Sequence, residues 1–498
     1  MSSVNTNMGA VVSAANMAKF GRELDTSIER LSSGLRINSA KDDAAGMAIV
    51  SKMEAQVRGV TQAIRNATDS QKLIDTSEGA HVETLNILQR MRELAVQSAN
   101  DTNQAIDRTF LNSEATQLIA EIDRIAGQTT WNGEKILDGN FTSKQFQLGA
   151  NENEKVTYSI DSAKSAAIGS YQVNGEGAIY TGTADTISAH SLTVSGYIGS
   201  ATVSVSANDS AATAASNVNA KTADTGVTAI AVTKAKLSGL ESAQNVSFTL
   251  GNGTSTASVS ANITDENDLR LLKDSINSVA GTTGITAEMD SSSNAAIILT
   301  HSTGEDIMFS AFNTDTDADL TVTQLDYDGA TGTSGGGTSI VLNETITAGN
   351  EAANGVVVGH LRFNSHKSFT VSGDNNTTEQ NFFDTTTSST ASLSAISSIS
   401  LGTASGAESA ITVIDGAINK INQSRADLGA ISNRLDSTIS NLTNVATNVE
   451  GSMSNIRDAD FSLETSKLTR AQILTQAATS MLAQANTSKQ SILALLQG

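Results

Sequence analysis

Apolar residues at the two ends of the chain recur at helical spacing, and those in the middle do not. Near the C-terminus Ala471, Leu474, Ala478, Met481, Ala485, Ser488, Ile492 and Leu495 follow an unbroken 3-4-3-4 order, the spacing of a helix that packs along another helix. At the other end Val4, Met8, Val11, Ala15 and Ala18 keep this spacing, and after a break the stripe resumes through Phe20, Leu24, Ile28, Leu31 and Leu35. One amphipathic helix cannot bury such a stripe alone, so these ends are expected to find each other or other molecules. A second helical stretch, about 44 to 100, carries Met53, Val57, Val60, Ile64, Ala67 and Ile74, and a shorter one covers about 109 to 126. Their counterpart runs from Ile411 through Ile418, Leu428, Leu435 and Leu442 to Val449.

Between the helical ends the pattern changes period. Trp131-Asn132-Gly133 is turn chemistry, and 146–149 with 156–160 predict a hairpin around Asn151. From about 180 to 400, Ser, Thr, Gly, Asn and Asp dominate, with short alternating runs such as 191–194 and 201–205, which predict strands. This region repeats itself. Val218-Asn219 with 225–229 recurs as Ile276-Asn277 with 283–287, and both elements are displaced by 58 residues, since 276 − 218 = 58 and 283 − 225 = 58. Each copy is expected to be a strand pair, a short helix (211–219 or 267–279) and a returning strand. Gly335-Gly336-Gly337 is expected to act as a hinge.

Composition sharpens the picture. The 498 residues include no Pro, where average usage would give about 25. Such a chain has no slow cis/trans step and no ring to break a long helix. No Cys is present, which excludes disulfides and Cys-based zinc sites. The net charge of −21 argues against nucleic acid as a partner. Residues 180–400 hold 7 basic and 22 acidic residues, a net of −15, while residues 1–40 hold 4 basic and 3 acidic. Near-neutral ends pack without self-repulsion, and an acidic middle stays solvated. Residues 1–16 lack the pattern of a cleaved secretory signal, and no apolar run reaches the roughly 20 residues of a bilayer span, so no membrane insertion is expected.

No catalytic or cofactor constellation emerges. His81, His190, His301, His360 and His366 form no H-E-x-x-H. Asp315, Asp317, Asp319 and Asp326 echo positions 1, 3, 5 and 12 of a calcium loop, but Leu320 stands where the loop needs Gly, and a solvated acidic turn is expected instead. The chain is therefore not expected to be an enzyme or to hold a metal or cofactor.

The stretch from Glu29 to Gly46, ERLSSGLRINSAKDDAAG, closely resembles the signature of bacterial flagellin, the subunit of the flagellar filament. LQRMRELAVQ at 88–97, EIDRI at 121–125 with Trp131-Asn132-Gly133, and SNIRDAD at 454–460 resemble flagellin in the same order. The likeness covers about 1–175 and 401–498, and the middle resembles the flagellin-hook type repeat. It implies an α+β fold: a long α-helical coiled-coil rod formed by both chain ends, with a β-hairpin, and β-rich outer domains inserted in the middle. The implied divisions are 1–45 for an N-terminal core helix and spoke loop, 46–178 and 401–455 for the rod, 179–400 for the outer region with repeats near 190–240 and 246–300, and 456–498 for a C-terminal core helix.

The resemblance further implies a structural subunit that self-assembles into the flagellar filament for motility and is exported to the cell exterior without a cleaved signal. Implied partners are other copies of itself, an export chaperone, the hook-filament junction and filament cap proteins, and host Toll-like receptor 5. Val4, Met8, Val11, Leu24, Ile28, Leu31, Leu474, Met481, Ile492 and Leu495 are the expected polymerisation seam. Gln89, Arg90, Leu94 and Glu114 match the positions with which flagellins of this pattern engage the receptor, and Leu493, Leu495 and Leu496 resemble the leucine cluster read by inflammasome receptors. The alternative is a secreted β-rich adhesin or fibre subunit, which would share the repeated middle but would not need matching heptads at both ends.

Overall fold

A computed structural model of the chain describes residues 6–175, 177–182, 187–290, 293–315, 318–327, 329, 339–343, 351–373, 382–383 and 388–496; at 351 and 489–496 it describes the backbone alone. Val4, Asp317 and the Gly335–Gly337 tract lie outside these residues. The helices are α1 (Met8–Ser33), α2 (Ala44–Ala99), α3 (Ala105–Gln128), α4 (Ala211–Asn219), α5 (Thr222–Thr225), α6 (Arg270–Ser278), α7 (Ala280–Thr283), α8 (Ala404–Arg457) and α9 (Phe461–Leu496). α2 and α8 run unbroken for 56 and 54 residues, lengths that a proline-free sequence permits. The limits expected at 45/46 and 455/456 fall just inside α2 and α8, and 178/179 falls inside the strand Ala178–Thr181.

Internal contacts gather the chain into two compact units. The first comprises residues 1–74, 143–159 and 429–498. In it Gly34 ends α1 in the left-handed region, at φ 72°, where a side chain would be strained. Asp42 then ties the loop together, accepting from the Ser39 amide at 2.9 Å and its hydroxyl at 3.0 Å. Asp43 caps α2 by accepting from the amides of Ala45 and Gly46 at 3.1 and 2.9 Å. A Cβ at Gly46 would lie 2.4 Å from the Asp43 carboxylate and 2.7 Å from Ile37, so this run of residues reads as turn and cap chemistry. The hairpin Lys144–Gln147 and Lys155–Tyr158 lies against α2: Tyr158 and Ser70 hydroxyls meet at 3.0 Å, and Gly59 admits Ala150 to a distance a Cβ would reduce to 2.9 Å.

The second unit holds residues 75–142 and 160–428. Leu88, Met91, Leu94, Ala95, Ile122 and Ala126 are buried along α2 and α3, and two ion pairs tie α2 to α8, Arg92 to Asp415 at 2.7 Å and Arg425 to Glu78 at 2.7 Å. Asn132 and Gly133 both take positive φ, 48° and 82°, which is the type I′ turn that their sequence predicts. The β-rich middle contains sheets of nine, five and four strands. The 11-residue strand Thr228–Ser238 is the hub of the largest, pairing antiparallel with Leu320–Leu325, Ser293–His301 and His360–Ser365. One core gathers Phe248, Phe309, Leu272 and Ile276, and another Phe363, Phe382, Val194 and Val218.

The 58-residue repeat is visible atom by atom. Asn219 brackets Ala229, donating to its carbonyl at 2.9 Å and accepting from its amide at 2.8 Å; Asn277 does the same to Ala287, at 2.8 and 2.8 Å. Gly226 and Gly284 share φ 73°, and Thr225 and Thr283 each accept from the amide two residues on.

Candidate functional site

α1 and α9 pack antiparallel over nearly their whole described lengths. Asn7 donates to the Ala485 carbonyl at 3.1 Å, Ser27 bonds Glu464, and the Arg36 guanidinium donates to the Ile456 carbonyl, so paired residue numbers sum to 491 or 492. Beyond the helices, Leu35 bridges Asp458 and the Arg36 amide donates to the Arg457 carbonyl at 2.7 Å. On α9 the inward residues are Glu464, Leu468, Ala471, Thr475, Ala478, Leu482 and Ala485, an alternation of 4 and 3. Ala10, Ser13, Met17, Phe20, Leu24, Ser27 and Leu31 answer on α1. Small side chains alternate with Met17, Phe20, Leu24, Leu31, Leu468 and Leu482 along this contact, so the two helices interdigitate. Near the start of α9 Ser27 and Glu464 are each 4% exposed, and Lys467 holds the second carboxylate oxygen at 3.1 Å.

Other large apolar residues face outward. Met8, Val11, Val12 and Ile28 on α1, and Phe461, Leu463, Ile473 and Met481 on α9, are exposed, Phe461 at 69% and Met481 at 63%. A groove of about 720 Å³ runs beside Phe461, Ile473 and Leu474. The residues expected as one seam thus divide: Leu24, Leu31 and Leu474 are half-buried, while Met8, Val11, Ile28 and Met481 point away from the partner helix. Ile492, Leu493, Leu495 and Leu496 lie on the described backbone of α9, with their side chains outside the described residues.

Of the expected receptor patch, three members lie on one surface. Gln89 and Arg90 are exposed on α2 and Glu114 on α3. Arg90 reaches Glu114 at 2.9 Å and Glu93 at 3.0 Å, and these hydrogen bonds, that with Glu93 first, push its pKa above the ordinary value. Leu94 departs from the expectation. At 0% exposure its side chain belongs to the core, because the face that carries Arg90 at its rim turns inward one helical turn later.

The histidines stay apart. His81 is 1% exposed in α2 with no hydrogen-bond partner for either ring nitrogen among the described residues, and burial pushes its pKa down to about 4. His190 lies by the Ser188 carbonyl, His301 by Thr303, His360 by Gln324 and His366 by Tyr197. Asp315 accepts from the Asn245 amide and Asp319 from Asn343, so these two carboxylates serve separate partners. Among the described residues no helix is long and apolar enough to cross a membrane. Sequence reasoning missed the α2–α8 ion pairs, whereas Ala471, Ala478 and Ala485 of the expected C-terminal stripe do face α1.

Comparison with known proteins agrees with this geometry at both ends. Residues 4–142 match the family model of the bacterial flagellin N-terminal helical region, residues 411–496 that of the bacterial flagellin C-terminal helical region, and residues 191–239 that of the flagellin hook IN motif. The B-type flagellin of Pseudomonas aeruginosa is 36% identical, with 99% of each chain covered. A flagellin of Salmonella typhimurium is 34% identical and flagellin A of Vibrio cholerae 31%, again with 99% of each chain covered.

Proposed function

This chain belongs to the bacterial flagellin family, and from that membership we propose which of its surfaces carry assembly. A flagellin is a structural subunit of the bacterial flagellar filament, outside the cell, that self-assembles for motility; it is not an enzyme. In our reading α1 and α9 satisfy one face in each other and offer their second faces, with Met8, Val11, Ile28, Ile473 and Met481, to neighbouring copies. The observation that carries this is the outward row of large side chains on two helices that are already paired along their other faces. Repeated at every subunit, such a row supplies the apolar burial that drives association. By sequence spacing Val4, Ile492 and Leu495 continue the terminal stripes.

Replacing Ile473 or Met481 with Asp is the test. Both are exposed in the single chain, so its fold should survive, while a charge placed in a packed interface should stop filament growth as seen by electron microscopy. Normal filaments from both variants would refute the assignment.

The same exposed rows need a cover before assembly, and an export chaperone on the α9 stripe would provide it. The hook-filament junction and cap proteins are the partners proposed for the two ends of the polymer. For Toll-like receptor 5 we propose Gln89, Arg90 and Glu114 as the contact, with Leu94 beneath them holding the helix in place. Leu493, Leu495 and Leu496 are proposed as the C-terminal leucines read by inflammasome receptors.

A further inference from the structure

A polar pocket of about 650 Å³ opens in the second unit where one face of the nine-stranded sheet meets α8. Antiparallel register sets Thr228 opposite Asn364, so both project from that face. Across from them α8 presents Asn419, Asn422 and Gln423, and the turn after His190–Ser195 presents Tyr197.

Three features define the chemistry. Four carboxamides line one space, and each carries donors and an acceptor. Asn364 is only 5% exposed, donates to the Arg362 carbonyl at 3.3 Å, and leaves its Oδ1 without a partner among the described residues. Asp415 is held by Arg92 at 2.7 Å, and burial, with Lys367 and Lys420 nearby, lowers the pKa of His366. Tyr197 completes the site. Its ring rests on Gly226, where a Cβ would come within 2.1 Å, meets the His366 ring edge-on at 4.6 Å, has the Lys367 ammonium 5.3 Å from its centroid, and is 42% exposed. Clustered neutral amides beside a partly exposed aromatic ring match a ligand that alternates hydroxyl groups with C–H faces.

We propose that this pocket binds a neutral saccharide of one or two rings. The inference goes beyond filament assembly and does not depend on it. Saturation-transfer NMR on the full chain as monomer, with maltose and with N,N′-diacetylchitobiose at about 10 mM, tests it. Transfer to at least one sugar is expected, with affinity about five- to tenfold weaker in the double variant Asn419→Ala, Asn422→Ala, whose side chains are exposed and whose loss should leave far-UV circular dichroism unchanged. Asn433→Ala, exposed elsewhere on α8, should bind like the parent. No transfer from either sugar, or equal transfer in the double variant and the parent, would overturn the proposal. It would equally be overturned if the double variant altered only self-association, since the pocket would then take a second copy of the chain.

Discussion

Ser27 on α1 donates a 2.9 Å hydrogen bond to Glu464 on α9, and both side chains are sealed inside the contact between the two helices. A buried carboxylate in an otherwise apolar and small-residue seam costs stability unless its oxygens are filled, and it fixes which residues stand opposite. Ser27→Ala should leave one oxygen unfilled and cost about 1–3 kcal/mol. Filaments of the variant should melt at lower temperature by circular dichroism, and adding Glu464→Leu should restore much of the loss. Melting like the parent would mean that the bond contributes nothing.

Arg90 and Glu114 hold one another, so on the receptor reading their removal should not be additive. Arg90→Ala, Glu114→Ala and the double variant should each weaken activation of cells bearing Toll-like receptor 5, the double by less than the product of the singles. Full activity in the double variant would remove the assignment. Leu94→Ala should act differently, lowering the melting temperature through a core cavity worth about 2–5 kcal/mol.

His81 ties stability to pH. Its folded pKa, about 4, lies below the ordinary value of 6.5, so the unfolded chain binds the extra proton between those values. Stability should therefore be complete above about pH 6.5 and decline as pH falls toward 4, by about 3 kcal/mol in all. Thermal melts of the monomer at pH 7 and pH 5 measure this, and His81→Leu should flatten the difference. An unchanged slope in that variant would place the effect elsewhere, with Glu78, Asp161 and Arg425 the charged neighbours to examine next.

The paired brackets predict paired costs. Asn219→Ala and Asn277→Ala each remove two hydrogen bonds of the same geometry, so each should destabilise the β-rich region by about 1–2 kcal/mol in denaturant. A large cost in one copy and none in the other would show that only one bracket supports its fold.

Much of this architecture was legible because long helices and turns announce themselves locally. The 3-4 spacing marked α1, α2, α8 and α9, Asn132-Gly133 marked its turn, and the 58-residue offset marked the duplication. The inward face of the terminal helices was less legible. Apolar spacing grouped Met8, Val11, Ile28 and Met481 with Leu24, Leu31 and Ala478, yet the helix contact takes in only the last three, together with Ala10, Ser13 and Ser27, and leaves the first four exposed. Leu94 was misplaced for a related reason: i, i+4 spacing puts it near Arg90 along the helix but does not say which side of the rim each occupies. The pocket at Asn364 and Tyr197 joins residues far apart in sequence, and no local pattern could bring them together.

The pairing of α1 with α9 has a temporal side. Residues whose numbers sum to 491 or 492 stand opposite each other, so the first helix to emerge meets the last, and every other residue lies in the loop between them. Closing that loop costs only about 0.6 kcal/mol more for each doubling of its length, which leaves its content free to lengthen or shorten. What the arrangement does demand is the far end. A chain cut short anywhere before Glu464 would leave α1 without its helical mate, however complete everything between them is.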